Sequence, residues 1–187
     1  MCCKSPKRQG SPTLNTSSKT ESKVVLLGDS GVGKSSLLWR FDRGEFNENH
    51  EVTIGGAYLE KKVALSNEKM VVLNIWDTAG QDRFLSLMPM YYRNSTAAII
   101  VYDVSNQHSF SRVQYWVKTL KDQVPDCLLY LVGNKADKEP KMVDEFVAKD
   151  FATANGMDWL ETSAKSALNV DLLFKRVAEG VEKVKWN

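Results

Sequence analysis

Cysteine is scarce in this 187-residue chain, which contains only Cys2, Cys3 and Cys127. Three thiols are too few for a disulfide framework, and they favour a reducing, intracellular compartment. Long apolar runs are also missing. None approaches the roughly 20 residues of a membrane helix, and residues 1–22 lack the apolar core of a secretory signal. The sequence therefore predicts a cytoplasmic protein without a membrane-spanning helix.

A strong net charge is absent as well, because 25 Lys and Arg residues oppose 23 Asp and Glu residues and leave +2. We therefore expect no general affinity for nucleic acid. The charge is uneven: residues 1–23 have five basic residues and one acidic residue, or +4, which leaves −2 for residues 24–187. Residues 1–22 are rich in Ser, Thr, Lys and Pro. This composition predicts a disordered, basic N-terminal extension over 1–22 and one domain over 23–187.

Short apolar runs alternate with segments of helical period in that domain. The runs are nearly continuous, as in strands buried on both faces of a parallel sheet, and they cover residues 24–27, 71–76, 97–102 and 128–132. Residues 57–65 and the turn after them predict a hairpin with the second run, and residues 158–162 predict a last strand. Helices are predicted at residues 34–43, 109–123, 143–155 and 169–183. The pattern predicts an α/β fold with a mostly parallel six-stranded sheet and helices on both faces.

A phosphate-binding motif directly follows the first apolar run. It matches G-x-x-x-x-G-K-[ST] and consists of Gly28, Asp29, Ser30, Gly31, Val32, Gly33, Lys34 and Ser35. The glycines allow a tight turn whose amides point at phosphate oxygens, Lys34 would reach the β- and γ-phosphates, and the Ser35 hydroxyl would ligate Mg²⁺. We include Ser36 among the nucleotide-binding residues. The motif predicts a P-loop NTPase, but it serves ATPases, kinases and GTPases alike.

Two later segments indicate which base is bound. Guanine displays N1–H and N2–H₂ donors on one edge, and the Asp137 carboxylate can accept both. Asn134 can bond the other side of the base, and the aliphatic stem of Lys135 can cover its face. A backbone amide after the last strand can bind guanine O6, and the residues there are Ser163, Ala164 and Lys165. Together these segments favour guanine over adenine.

A D-x-x-G segment follows the second apolar run, at Asp77–Gly80. The four-residue pattern alone is not specific, because most chains of this size contain one. Its place after the P-loop helix and the hairpin is typical of a γ-phosphate sensor. Asp77 would hold a Mg²⁺-bound water, and the Gly80 amide would contact the γ-phosphate.

With these four segments in this order, the sequence resembles the Ras-superfamily small GTPases over about residues 23–183. Within the superfamily it is similar to the Rab branch, because residues 76–84 are close to the Rab switch II pattern, with Asp82 where Glu is usual. Residues 88–93 and 53–58 are most similar to the early-endosomal Rabs. The resemblance implies a G domain fold and a GTP/GDP-cycled switch in vesicle or endosomal trafficking.

The resemblance also implies roles for single residues. Thr53 would complete the Mg²⁺ shell and contact the γ-phosphate, Phe46 would cross the guanine edge-on, and Gln81 would orient the attacking water. Catalysis would therefore depend on Gln81, Lys34 and Thr53. Effectors would read an aromatic triad formed by Tyr58, Trp76 and Tyr91. We expect a monomer that hydrolyses GTP slowly and needs an exchange factor, an activating protein and effectors.

Two other functions remain open at this stage. A scaffold could bind GTP without significant hydrolysis, although Gln81 argues against it. An ATP-using P-loop kinase is a third class, and the Asn134–Asp137 segment argues against it.

Membrane attachment has alternatives of its own. No cysteine follows Cys127, so the sequence as given offers no C-terminal prenylation site, and either the chain is truncated or an anchor lies elsewhere. Cys2 and Cys3 stand beside basic residues and could accept acyl chains, which would allow peripheral association with endosomal or other vesicle membranes. An unmodified tail is the alternative reading of that segment.

Overall fold

The computed structural model describes residues 20–48, 53, 56–66 and 69–185 of the chain. Most of the predicted N-terminal extension lies outside these residues, as do Cys2 and Cys3. Within the described part, no helix is both long and apolar enough to cross a bilayer.

A six-stranded sheet forms the centre of the domain. Its strands are β1 (Thr20–Leu27), β2 (Gly56–Ala64), β3 (Met70–Thr78), β4 (Ala97–Asp103), β5 (Leu128–Asn134) and β6 (Asp158–Glu161). They lie in the order β2-β3-β1-β4-β5-β6. Only the β2–β3 pair is antiparallel. The predicted hairpin and the mostly parallel α/β sheet are therefore confirmed.

Helices follow the strands along the chain. They are α1 (Lys34–Arg43), α2 (Met88–Tyr92), α3 (Gln107–Ser111), α4 (Val113–Gln123), α5 (Glu145–Ala154) and α6 (Val170–Lys185), with a 3₁₀ turn at Asp82–Leu87. The helix predicted at 34–43 has the bounds of α1. The helix predicted at 109–123 is instead two helices that meet at Arg112, where the Tyr115 amide donates to the Arg112 carbonyl three residues back at 3.1 Å. This tighter bond interrupts the regular α pattern.

The start of β1 also differs from the prediction. Residues 20–22 were expected in the disordered extension, but β1 begins at Thr20 and pairs in parallel with β3, from Thr20 opposite Val71 to Leu26 opposite Asp77. These polar residues lack the apolar pattern of a buried strand. They adopt strand conformation because they pair with β3. This pairing cannot be read from the sequence of residues 20–22 alone.

Two apolar layers cover the sheet, because successive strand side chains point to opposite faces. Val24 and Leu26 of β1 face a layer completed by α1 and α6. Val25 and Leu27 face the other layer, which includes α4 and α5. Burying each such side chain contributes about 1.5–3 kcal/mol. Helices therefore lie on both faces, as predicted, and the carboxyl ends of the parallel strands remain open at one edge.

Candidate functional site: a cleft at the carboxyl edge of the sheet

The P-loop turns sharply between the end of β1 and the start of α1. Gly28 has φ 137°, and a Cβ added there would lie 2.2 Å from the Val101 carbonyl oxygen of β4. Gly33 has φ 96°, and an added Cβ would lie 2.4 Å from Nδ2 of Asn134. Any side chain at these two positions would therefore displace β4 or the Asn134 segment. The loop leads directly into α1, whose first amides face the same edge.

Lys34 is the charged centre of this loop. Only 5% of the residue is exposed, and its Nζ donates to the carbonyls of Gly28 at 2.7 Å and Asp29 at 2.8 Å. Burial lowers the pKa of Lys34 from 10.5 to about 8, while the nearby carboxylates of Asp77 and Asp29 oppose the change. A Cβ on Gly80 would lie 2.5 Å from this Nζ. Gly80 and the Lys34 ammonium therefore meet at one point, where an anionic group can be held.

Three oxygen-bearing side chains converge beside Lys34. The Ser35 hydroxyl donates to Oδ2 of Asp77 at 2.5 Å, and its oxygen lies 2.5 Å from the Thr53 hydroxyl. Asp77 is 2% exposed at the end of β3. Hydroxyl and carboxylate oxygens of this kind are the ligands that Mg²⁺ prefers. The residues present therefore fit a magnesium ion.

The predicted base-binding segment lies on the other side of the P-loop. The Asn134 side chain is buried: its Nδ2 donates to the Val32 carbonyl at 2.9 Å. Its Oδ1 accepts from the Ala164 amide and from the Thr162 hydroxyl, both at 3.3 Å. The carboxamide therefore ties the P-loop to the loop after β6. The bond from Asn134 to the base stays a prediction. Thr162 belongs to no motif, and the sequence gave no sign of its contact.

Asp137 is held by a buried side chain from the loop after β6. The Ser163 hydroxyl donates to Oδ1 of Asp137 at 2.5 Å and accepts from the Ser166 amide at 3.0 Å. Ser163 is completely buried. This bond fixes the orientation of the Asp137 carboxylate.

A cleft of about 550 Å³ joins all of these groups. Most of the predicted nucleotide contacts line it: Ser30, Gly31, Gly33, Lys34, Ser35, Ser36, Phe46, Thr53, Gly80, Asn134, Lys135, Asp137, Ala164 and Lys165. The other four, Gly28, Asp29, Val32 and Ser163, support this lining from behind through the contacts described above. Asn47, Glu48, Thr78 and Lys138 also line the cleft and were not predicted.

Gln81 lies at the edge of this arrangement. It is half-buried and directly precedes the 3₁₀ turn, in extended conformation with φ −81° and ψ 138°. It follows Gly80 but is not among the described residues that line the cleft.

The predicted aromatic triad forms one surface on the antiparallel side of the sheet. The Tyr58 and Trp76 ring centroids are 5.2 Å apart, and those of Trp76 and Tyr91 are 6.0 Å apart. Tyr58 is 53% exposed. Its hydroxyl donates to Oδ1 of Asn74 at 2.8 Å. Trp76 and Tyr91 are half-buried. The three rings are therefore together, and Tyr58 is the most exposed of them.

Two further contacts support the site although sequence reasoning missed them. Nε of Arg112 lies 3.3 Å from Oδ1 of Asp29, so the junction of α3 and α4 contacts the P-loop. Nζ of Lys135 lies 2.7 Å from Oδ2 of Asp103, the last residue of β4. Neither Arg112 nor Asp103 belongs to a recognised motif. These two ion pairs join residues that are distant in the sequence, so they can be identified only from the folded structure.

Comparison with known proteins agrees with this geometry. The model of the Ras family matches residues 23–183. The Ras-related protein Rab5A of Oryza sativa subsp. japonica is 49% identical over 159 residues, which cover 84% of this chain and 78% of that protein. The resemblance drawn from the motifs, to a Rab-branch small GTPase of the early-endosomal type, is confirmed. The chain belongs to the Ras family of small GTPases, in its Rab branch.

Proposed function

We propose that the chain is a molecular switch that binds GTP with Mg²⁺, hydrolyses it to GDP and phosphate, and recruits effectors in vesicle or endosomal trafficking while GTP is bound. One observation supports this most strongly: a single cleft is lined by the P-loop, by Thr53 and Gly80, and by the base-binding residues Asn134 and Asp137. The cleft therefore offers contacts for the phosphates, for the γ-phosphate in particular, and for guanine.

Base recognition depends on Asp137 in this proposal. Its carboxylate accepts from N1–H and N2–H₂ of guanine, with the Ser163 hydroxyl holding it in place. The Lys135 stem covers one face of the base, and Phe46, which also lines the cleft, crosses the guanine edge-on. Asn134 bonds the other side of the base, and it also braces the P-loop against the loop after β6.

Magnesium would be held by the Ser35 and Thr53 hydroxyls, with Asp77 acting through a water. When bound, the ion would supply positive charge that offsets the negative charge of the phosphates. Lys34 adds a second positive charge to the same region, where its Nζ is held by the Gly28 and Asp29 carbonyls.

Hydrolysis is an in-line attack of water on the γ-phosphorus. The bond from phosphorus to the β–γ bridging oxygen breaks and that oxygen leaves with GDP. The water oxygen stays on phosphorus with one proton, as hydrogen phosphate, and the other proton of the water passes to the solvent. Gln81 orients the water, and Lys34 and the amides of Gly80 and Thr53 stabilise the charge that develops. No arginine is among the described residues lining the cleft. We therefore expect slow intrinsic turnover that an activating protein accelerates.

The same γ-phosphate contacts explain how the protein would act as a switch. Thr53 and Gly80 touch a group that only GTP has, and each stands next to a strand that carries part of the aromatic triad of Tyr58, Trp76 and Tyr91. Effectors would read this surface, and an exchange factor would restore GTP. We propose that the chain acts as a monomer, and that acylated Cys2 and Cys3 hold it on endosomal or other vesicle membranes.

Nucleotide content provides the test. Protein purified without added nucleotide is denatured, and the released nucleotide is identified by chromatography. GDP or GTP is the expected result, whereas ADP or ATP would favour a P-loop kinase. The protein is then loaded with GTP and followed over time. Formation of GDP and phosphate supports a switch, while GTP that stays intact would indicate a scaffold.

A further inference from the structure

The register of β4 and β5 brings an acidic residue to the base-binding segment. Asp103, the last residue of β4, stands opposite Asn134, the last residue of β5. Lys135 follows directly, with φ 64°, a left-handed conformation that side-chain-bearing residues adopt rarely. The surroundings must hold Lys135 in this conformation.

The Lys135 ammonium is held by two acceptors. It donates to the Gly31 carbonyl of the P-loop at 2.6 Å and pairs with Oδ2 of Asp103 at 2.7 Å. The stem crosses the P-loop on the way, since a Cβ added to Gly33 would lie 3.9 Å from Cε of Lys135. Lys135 is therefore a strut between the end of β5 and the phosphate-binding loop.

The Asp103 carboxylate is itself fixed. Its other oxygen, Oδ1, accepts from the Ser105 amide at 2.9 Å and from the Ser105 hydroxyl at 2.7 Å. The Asp103 amide donates to the Ser109 hydroxyl at 3.0 Å. The side chains of Asp103 and Lys135 are only 9% and 26% exposed. Water and salt therefore screen this pair less than a surface ion pair, and its geometry is rigid.

We propose that Asp103 is a positioning residue for guanine-nucleotide binding: it anchors the Lys135 ammonium, so that the Lys135 stem stays over the base and its bond to Gly31 keeps the P-loop closed on the phosphates. This inference rests on the proposed function. Asp103 need not touch the nucleotide. It slows nucleotide release by holding the strut that joins the two halves of the cleft.

Removing the charge of Asp103 weakens that strut. In Asp103→Asn the ammonium loses its charged partner, and hydration in the open solvent competes with its bond to Gly31. The substitution is isosteric, and the amide oxygen can keep both bonds from Ser105, so the variant is expected to fold. Loss of one shielded, charge-assisted hydrogen bond predicts about tenfold faster GDP release.

The test measures release of fluorescently labelled GDP from Mg²⁺-loaded protein into excess unlabelled GDP. Four proteins form the core of the test: wild type, Asp103→Asn, Lys135→Met and the double variant. Asp126→Asn, an exposed acid after α4, is the matched control and should release GDP at the wild-type rate. If Asp103 acts through Lys135, the double variant should be no more than about twofold faster than Lys135→Met alone.

Independent, multiplied effects in the double variant would show a merely structural role for Asp103 and would overturn the inference. So would an Asp103→Asn rate equal to wild type when wild type holds GDP firmly, and the proposed function would then still stand. A wild-type chain that does not retain labelled GDP at all would remove the proposed function, and this inference with it.

Discussion

The burial of Lys34 leads to a prediction about the stability of the fold, which can be checked without any catalytic assay. Its ammonium is buried, and burial lowers its pKa from 10.5 to about 8. Folding without nucleotide therefore places a charge where it is poorly solvated. The difference in pKa means that the charged Lys34 ammonium destabilises the folded domain by about 3 kcal/mol at neutral pH.

The direction in which stability changes with pH follows from the number of protons that the folded and unfolded chains bind. Between about pH 8 and pH 10.5 the unfolded chain keeps the Lys34 proton while the folded chain has lost it. The free energy of unfolding therefore rises with pH in this window. From pH 7 to pH 9.5, wild type is expected to gain about 2 kcal/mol of stability relative to Lys34→Met, which has no proton to lose.

Urea unfolding of nucleotide-free protein at the two pH values measures this gain. The comparison is a difference between variants, so the titration of other groups cancels. Lys118→Met, at an exposed position on α4, is the matched control and should follow wild type. Adding GDP and Mg²⁺ at pH 7 should stabilise wild type far more than Lys34→Met. If the free energy of unfolding changed with pH in the same way for wild type and Lys34→Met, the claim that burial lowers the pKa of Lys34 would be refuted.

Three further outcomes are expected. Asp137→Asn should bind GTP about a hundredfold more weakly and should favour xanthosine triphosphate, because guanine loses its charged acceptor; equilibrium titration measures both affinities. Ser35→Asn should weaken the Mg²⁺ dependence of binding and favour the GDP-bound or empty form, because a hydroxyl of the oxygen cluster is lost; titration with Mg²⁺ measures this. Combined Cys2→Ser and Cys3→Ser should move the full chain from the membrane fraction of cells to the cytosol, and fractionation measures the shift.

Each of these variants has a control at an exposed or unrelated position. Asp150→Asn is the control for Asp137→Asn, and Ser111→Asn is the control for Ser35→Asn. Both controls should bind nucleotide and Mg²⁺ like wild type. Cys127→Ser removes a buried thiol, whose pKa is raised to about 12 by burial, and should fractionate like wild type. Unchanged GTP affinity in Asp137→Asn would remove that residue from the base site, and a double serine variant that stays on membranes would remove the acyl anchor.

The P-loop and the base-binding segment could be predicted because their chemistry is local in sequence. Glycine spacing and one lysine define the phosphate loop, and the order of apolar runs placed every such segment at one edge of a parallel sheet. The structure brings Lys34 and Asp137 to a single cleft, as that order implied.

Other features could not be predicted because they depend on pairing between distant segments. Residues 20–22 join β1 only because β3 offers them backbone partners. Asp103 reaches Lys135 only through the register of two neighbouring strands. The buried bonds of Asn134 depend on how closely the P-loop approaches β5, and spacing along the chain does not encode that distance.

Single-turnover GTP hydrolysis tests the central claim most directly. Wild type, Gln81→Leu and the exposed control Gln114→Leu are loaded with GTP, Mg²⁺ is added, and phosphate release is followed. We expect slow hydrolysis by wild type and the control, and a rate lower by on the order of tenfold to a hundredfold in Gln81→Leu, with GTP affinity unchanged. Wild-type protein that binds GTP but releases no phosphate, or equal rates in wild type and Gln81→Leu, would contradict the account.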